Sequence, residues 1–237
     1  MVINIHAGHN PDGKVACGAV GLIRESTEAR RVKDEVVTQL RELGNTVYDC
    51  TVNNGTGQKD VLQKIVEKCN AHKVDLDVSI HFNSGSGLQR DDKTTGTEVL
   101  VYSGYSIARD EAESVCKAIE ELGFKNRGVK FRPDLYVLRQ TNAPAMLIEC
   151  CFVNDPDDVE LYDYKKMASA IVKGITGMTV SSATAEEDDD EGMVETPVGS
   201  GEELYRVQVG AYRVKGNAEN LKKVLKSAGF DAFIIGS

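Results

Sequence analysis

Four titratable side chains in the first 150 residues are of the types that hold and use a catalytic metal. His9 comes shortly after the apolar segment VINI, His81 follows VDLDVSI, and Glu149 follows AMLI. Glu25 opens a predicted helix after the first of these segments. Two imidazoles and one carboxylate with an open position form a known catalytic zinc shell, and a second carboxylate beside it can act as general base. These residues predict a site that activates water.

The elements that must position these side chains alternate between apolar strands and amphipathic helices. Strands are predicted at 2–5, 46–50, 74–80, 97–102, 135–138 and 145–152, and helices at 25–43, 61–71, 108–122 and 159–175. This alternation predicts an α/β fold with a twisted, mostly parallel sheet and helices on both faces. Ligands of such sheets bind at the carboxyl ends of the strands, where His9, His81 and Glu149 are expected.

Two further residues compete for the same roles. His6 shares the segment HAGH with His9, but Gly8 breaks the strand between them, so we interpret His6 as a packed or supporting residue. Glu28 competes with Glu25, because a glutamate near a helix start can simply oppose the helix dipole. The six cysteines lack metal-ligand spacing, and we interpret them as reduced and mostly buried thiols.

The net charge of -9 is concentrated in one segment. Residues 186–203 hold nine carboxylates and no Lys or Arg, and the other residues carry 28 acids against 28 bases. We therefore predict a flexible acidic linker over 178–203. Residues 204–237 read as strand, helix and strand with a net charge of +4. This charge is too small to indicate nucleic acid, and the chain has no Trp to stack on bases.

No segment approaches the roughly 18 to 20 consecutive apolar residues that a membrane-spanning helix needs, which predicts no membrane insertion. The first residues, MVINIHAGHN, have neither a basic head nor the apolar core of a signal peptide. We therefore expect the protein to be made in the cytoplasm.

Several motifs together resemble the zinc-dependent N-acetylmuramoyl-L-alanine amidases of cell-wall hydrolysis. They are INIHAGHNPDGKVACGAVG, CNAHKVDLDVSIHFNS, GTEVLVY and RGVKFRPDLYVLRQTNAPAMLIECCFVNDPDDVEL, and the resemblance covers about residues 1–177. It implies that His9, Glu25 and His81 bind one Zn²⁺ per chain and that Glu149 is the catalytic carboxylate. The family commonly has Asp where this chain has His6, so a role of His6 as an extra or alternative ligand stays open.

The resemblance implies a peptidoglycan hydrolase that cleaves the amide bond between N-acetylmuramic acid and L-alanine of the stem peptide. Without a signal peptide, such an enzyme acts on the cell wall after the membrane is permeabilised or the cell lyses. A phage endolysin and a mother-cell lytic amidase both meet this condition, and we favour the endolysin. The rivals are a catalytically inactive wall-binding or regulatory protein with an amidase fold and an unrelated zinc peptidase.

The last 33 or so residues resemble one half of a SPOR domain, a peptidoglycan-binding module, through YRVQVGAY and NAENLKKVLKSAGF. Below roughly 40 residues a module rarely folds alone without disulfides or metal, and this segment has no Cys. Two copies from two chains could complete one four-stranded sheet. We therefore predict a homodimer through residues 204–237. The alternative is a disordered tail or the remnant of a longer module.

Overall fold

A computed structural model describes residues 1–180 and the isolated positions 222, 225, 226, 233 and 234. The first range contains six strands and six helices. In chain order they are β1 (Val2–Ala7), α1 (Glu25–Glu42), β2 (Thr46–Asp49), α2 (Gln58–Asn70), β3 (Leu76–Asn83), β4 (Thr97–Val101), α3 (Arg109–Glu120), β5 (Asn126–Phe131), α4 (Tyr136–Gln140), β6 (Ala145–Phe152), α5 (Pro156–Leu161) and α6 (Tyr164–Thr176).

The six strands form one sheet in the order β2-β1-β3-β6-β4-β5. All neighbouring pairs are parallel except β4 and β6, which are antiparallel, so the predicted mostly parallel sheet is confirmed. This reversal places the carboxyl ends of β1, β3 and β6 at the same edge as the amino ends of β4 and β5. The candidate residues His9, His81 and Glu149 lie along that edge.

Helices cover both faces of the sheet because the strands alternate their apolar side chains between two buried clusters. The larger cluster includes Ile5 and Ile80 of the strands and packs against α1, α3 and α6. The smaller cluster includes Leu147 of β6 and packs against α2 and α4, which contribute Ile65 and Leu138. Glu149 is the one residue of β6 that is only partly buried.

Two predictions for the segment between α3 and β6 are wrong. The run LYVL at 135–138, predicted as a strand, lies mostly in helix α4, whose Val137 and Leu138 pack into the smaller cluster. A short apolar run has no periodicity that separates a buried strand from one buried helical turn. Strand β5 was not predicted, because it is an edge strand whose residues are partly or fully exposed and include Arg127 and Lys130.

The predicted helix 159–175 is divided into α5 and α6. Asp155 caps α5 by accepting hydrogen bonds from the backbone N–H groups of Asp157 and Asp158. Asp163 caps α6 by accepting from the N–H groups of Lys165 and Lys166, and this second start signal ends the continuous helix.

The predicted linker 178–203 and the module 204–237 lie outside the described residues, apart from 178–180 and the five isolated positions. Among the residues described, no helix combines the length and the apolar character needed to cross a membrane.

Candidate active site

His9, Glu25 and His81 lie together at the carboxyl ends of β1 and β3. One carboxylate oxygen of Glu25, Oε1, is 3.2 Å from Nε2 of His9 and 2.9 Å from Nδ1 of His81. The two imidazole rings meet edge to face, with centroids 4.8 Å apart. His9 follows β1, Glu25 is the first residue of α1, and His81 lies near the end of β3. The structure thus brings together three of the four residues that the sequence indicates.

Two glycines allow the backbone to pass close to this cluster. A Cβ atom at Gly8 would lie 1.8 Å from Nε2 of His81, far inside van der Waals contact. A Cβ at Gly18 would lie 2.4 Å from Oε2 of Glu25, and Gly18 also has a positive φ of 81° that disfavours other residues. Glycine at both positions therefore permits the packing of the two histidines around Glu25.

Arg30 of α1 holds the backbone that presents His9. Its guanidinium donates hydrogen bonds to the carbonyl oxygens of His9 at 2.7 Å, Ser26 at 2.9 Å and Val52 at 3.2 Å. It also donates to Oδ1 of Asn53 at 2.8 Å. A buried backbone carbonyl needs such a partner, so this one side chain fixes the loop after β1 against the loop after β2.

Glu25 is held in its ionised form. Burial raises its pKa, but hydrogen bonds from His81 and His9 outweigh burial and hold the pKa well below the ordinary value. The backbone N–H groups of Phe82 and Ala19 also donate to its carboxylate, at 3.2 Å and 2.7 Å. Burial lowers the pKa of His81 despite the neighbouring carboxylate, which favours the neutral imidazole that metals bind.

The donor set fits a divalent transition metal. A neutral imidazole, a second imidazole and an ionised carboxylate are the ligands of open catalytic zinc sites. Ligands of one tetrahedral zinc, each about 2.0 to 2.2 Å from the ion, lie on the order of 3.3 Å apart. The separations of 3.2 Å and 2.9 Å between Glu25 Oε1 and the histidine nitrogens are close to this spacing. All three ligand atoms lie within 4.8 Å of one another, so these residues could hold one ion.

Glu149 lies next to this cluster on β6. It pairs with His81 of β3 on one side and with Glu98 of β4 on the other. Its Oε2 atom is buried and has no hydrogen-bond partner in the described part of the chain. Burial, together with the negative charges of Glu25 and Glu98, raises the pKa of Glu149 to about 8. An unpartnered carboxylate of raised pKa, beside a candidate metal site, has the properties of a general acid or base.

The two competing residues lie outside the cluster. His6 is buried on β1, with Nδ1 3.4 Å from the hydroxyl of Ser79, and burial lowers its pKa to about 3. Glu28 accepts hydrogen bonds from Arg31 and from the hydroxyl of Tyr162 at 3.0 Å. The contacts of His6 are therefore explained by packing, and those of Glu28 by ion pairing and a hydrogen bond.

One group near the site was missed by sequence reasoning. Glu98 of β4 accepts a hydrogen bond from Asn83 of β3 at 3.0 Å and one from Arg127 of β5 at 2.8 Å. These contacts connect polar side chains of three strands. The segment NRGVK contains Arg127, but the sequence analysis did not predict a strand there. The position of Arg127 beside Glu98 could therefore not be inferred.

An α/β sheet that gathers two histidines and two glutamates at one edge, with a donor set suited to a divalent metal, defines a candidate metal-dependent hydrolase. The family model described as N-acetylmuramoyl-L-alanine amidase matches residues 3–178, and the chain belongs to this family. A SPOR domain model matches residues 190–236, which includes part of the predicted linker.

Relatives of this chain include an uncharacterized protein and a named amidase. An uncharacterized 38.4 kDa protein of Clostridium perfringens is 36% identical over 179 residues, which is 74% of this chain and 51% of the relative. The sporulation-specific N-acetylmuramoyl-L-alanine amidase of Bacillus subtilis (strain 168) is 26% identical over 235 residues, 97% of this chain and 81% of the relative. The chain spans about half the length of two Clostridium perfringens relatives that it matches.

Among solved structures, the catalytic domain of the CD27L endolysin targeting Clostridia difficile has the same fold, with a TM-score of 0.68 and 24% identity. The match covers 76% of this chain and 99% of that chain.

Proposed function

We propose that this chain hydrolyses peptidoglycan at the amide bond between the lactyl group of N-acetylmuramic acid and L-alanine of the stem peptide. One observation carries the proposal: two histidines converge on one oxygen of Glu25, beside the unpartnered carboxylate of Glu149, in a chain of the amidase family. One Zn²⁺ per chain would be held by His9, Glu25 and His81.

Zinc, when bound, supplies a Lewis acid that polarises the scissile carbonyl and lowers the pKa of a water molecule. Glu149 accepts the proton of the attacking water and then delivers it to the amine of L-alanine as the C–N bond breaks. Glu149 must be ionised to accept that proton. A divalent cation bound beside it would favour the ionised carboxylate and oppose the effect of burial, Glu25 and Glu98, which raise the pKa of Glu149 to about 8. Glu25 also accepts hydrogen bonds from the backbone N–H groups of Phe82 and Ala19, which would keep its carboxylate in position through both proton transfers.

Digestion of purified sacculi tests this function. The amidase releases new amino groups on L-alanine without releasing new reducing sugar ends. New reducing ends would identify a glycosidase instead. The absence of both products from metal-loaded protein would favour an inactive wall-binding or regulatory protein with an amidase fold.

Two biological settings are consistent with an amidase that lyses the wall after the membrane is permeabilised. We propose a phage endolysin, supported by the 29% identity over 180 residues to an endolysin of Bacillus phage SPP1. The second candidate, a lytic amidase of sporulating cells, is supported by the match to a sporulation-specific amidase that extends over 97% of this chain. Transcript measurements after prophage induction and during sporulation separate the two settings.

We further propose that residues 1–177 form the catalytic domain and that residues 204–237 join two chains into a homodimer, with 178–203 as the tether between them. A chain ending at residue 180 is expected to remain folded and to cleave small soluble substrates at the rate of the full chain, because the amidase model ends at residue 178. Light scattering should give a dimer for the full chain and a monomer for the shortened chain. A monomeric full chain at micromolar concentration would contradict the dimer, and loss of fold in the shortened chain would contradict the domain boundary.

A further inference from the structure

Arg127 has an orientation fixed by two contacts at the amino end of β5. Its Nε atom donates to Oε2 of Glu98 at 2.8 Å, and its guanidinium carbon lies 5.1 Å from the centre of the Phe152 ring. The other oxygen of Glu98 accepts a hydrogen bond from Asn83 at 3.0 Å. The Glu98 contact fixes one edge of the guanidinium, and the phenyl ring supports its face.

The remaining donors of this guanidinium are free to bind a ligand. Within residues 1–180, only its Nε atom makes a hydrogen bond, so the two terminal amino groups have no protein partner. The side chain is 33% exposed, which leaves these groups accessible from solvent. A guanidinium fork presents two parallel N–H groups that match the two oxygens of a carboxylate.

The sheet register places this fork on the side of the site away from the histidines. Glu98 is the direct partner of Glu149, and directly paired residues of antiparallel strands share a face of the sheet. Strand β5 is two strands from β6 in the sheet, and neighbouring strands are about 4.8 Å apart, so Arg127 is anchored roughly 10 Å from the Glu149 strand. An extended peptide covers this distance in about three residues.

The chemistry of the proposed substrate indicates which part of it would reach the fork. The lactyl carboxyl of N-acetylmuramic acid is consumed in the scissile amide, and the acetylated sugars carry no charge. Carboxylates are therefore found on the peptide side of the scissile bond.

We propose that Arg127 binds a carboxylate of the stem peptide, within about three residues of the scissile amide, and that it sets a preference for stem peptides whose carboxylates are free rather than amidated. This inference rests on the proposed amidase function. Glu98 and Phe152 act as positioning residues, since they orient the fork while leaving its terminal donors available.

The test compares two synthetic N-acetylmuramoyl-peptides that differ only in whether the stem-peptide carboxylates are free or amidated. The unmodified enzyme is expected to cleave the free-carboxylate substrate with a kcat/KM about 10- to 100-fold higher, the range for one charge-assisted pair. In Arg127→Gln this preference should disappear, mainly through a higher KM for the free-carboxylate substrate. Any loss on the amidated substrate should be much smaller, because that substrate lacks the carboxylate that Arg127 is proposed to bind.

Arg109→Gln is the matched control, because Arg109 of α3 also pairs with a glutamate through Nε and lies over a phenyl ring, that of Phe131 at the other end of β5. It should keep the preference. Arg127→Lys retains the charge without the fork, and it gives a second readout, a reduced preference, if Arg127→Gln does not accumulate as folded protein.

Three results would overturn the inference: no preference in the unmodified enzyme, a preference that survives in Arg127→Gln, or an equal loss on both substrates in Arg127→Gln. The last of these would assign Arg127 a purely structural role. If the unmodified, zinc-loaded enzyme cleaves neither peptide and also fails to release amino groups from sacculi, the proposed amidase function itself is contradicted.

Discussion

Replacing Glu149 with Gln is expected to lower kcat by about 10² to 10⁴, the contribution typical of a general acid or base. Glutamine has nearly the same size but cannot accept the proton of the attacking water. The fold should be retained, because the carboxylate that is removed has a buried oxygen with no hydrogen-bond partner among the described residues. Zinc content should also be unchanged, since Glu149 is outside the three-residue cluster. The measurement is single-substrate kinetics on a soluble muropeptide, together with metal analysis.

Glu111→Gln is the matched control for this experiment. Glu111 of α3 also has a carboxylate oxygen that is buried without a partner, but it is not part of the cluster at the sheet edge. This control should retain full activity. A loss of less than about tenfold in Glu149→Gln would contradict the role of Glu149, because general acid-base catalysis contributes more than that.

His81→Ala is expected to reduce bound zinc well below one ion per chain and to abolish most of the activity. The substitution removes one of three donors and leaves Glu25 without its 2.9 Å partner. Because the two proposed proton transfers require an activated water, the loss in kcat/KM should be at least about 10²-fold. Metal content after dialysis against a weak chelator, measured by elemental analysis, checks the first part of this prediction.

His72→Ala controls for the general effect of removing a histidine. The ring of His72 stacks on Tyr48, with centroids 3.8 Å apart, and takes no part in the cluster. It should leave zinc and activity unchanged. Full zinc occupancy in folded His81→Ala, or equal zinc loss in both variants, would exclude the proposed ligand set.

The residues of the cluster could be predicted because strand ends are visible in the sequence. His9, His81 and Glu149 each follow an apolar run, and the rule that ligands bind at the carboxyl ends of parallel strands places them together. The choice of Glu25 over Glu28 was harder, because both are buried residues of the first turn of α1. The three-dimensional contacts separate them: Glu25 contacts the histidines and Glu28 contacts Arg31.

The position of Arg127, the residue proposed to bind the stem peptide, could not be predicted in the same way. Arg127 lies on an edge strand with little apolar alternation, and it pairs with Glu98, 29 residues earlier in the chain. Nothing in the local pattern indicates that β4 and β5 run opposite to β6. Pairings between distant segments depend on tertiary packing, and the sequence of one segment does not show that packing.

The order in which the strands are synthesised delays the completion of the site. His9, Glu25 and His81 all emerge from the ribosome within the first 81 residues, whereas Glu149 belongs to β6, which is inserted between β3 and β4. Until β6 is available, both of those strands have an unpaired edge, and domains generally fold as units during synthesis. A nascent chain of 140 residues therefore contains every proposed metal ligand but lacks the carboxylate that completes the chemistry. The proposed catalytic carboxylate is therefore the last part of the site to be synthesised.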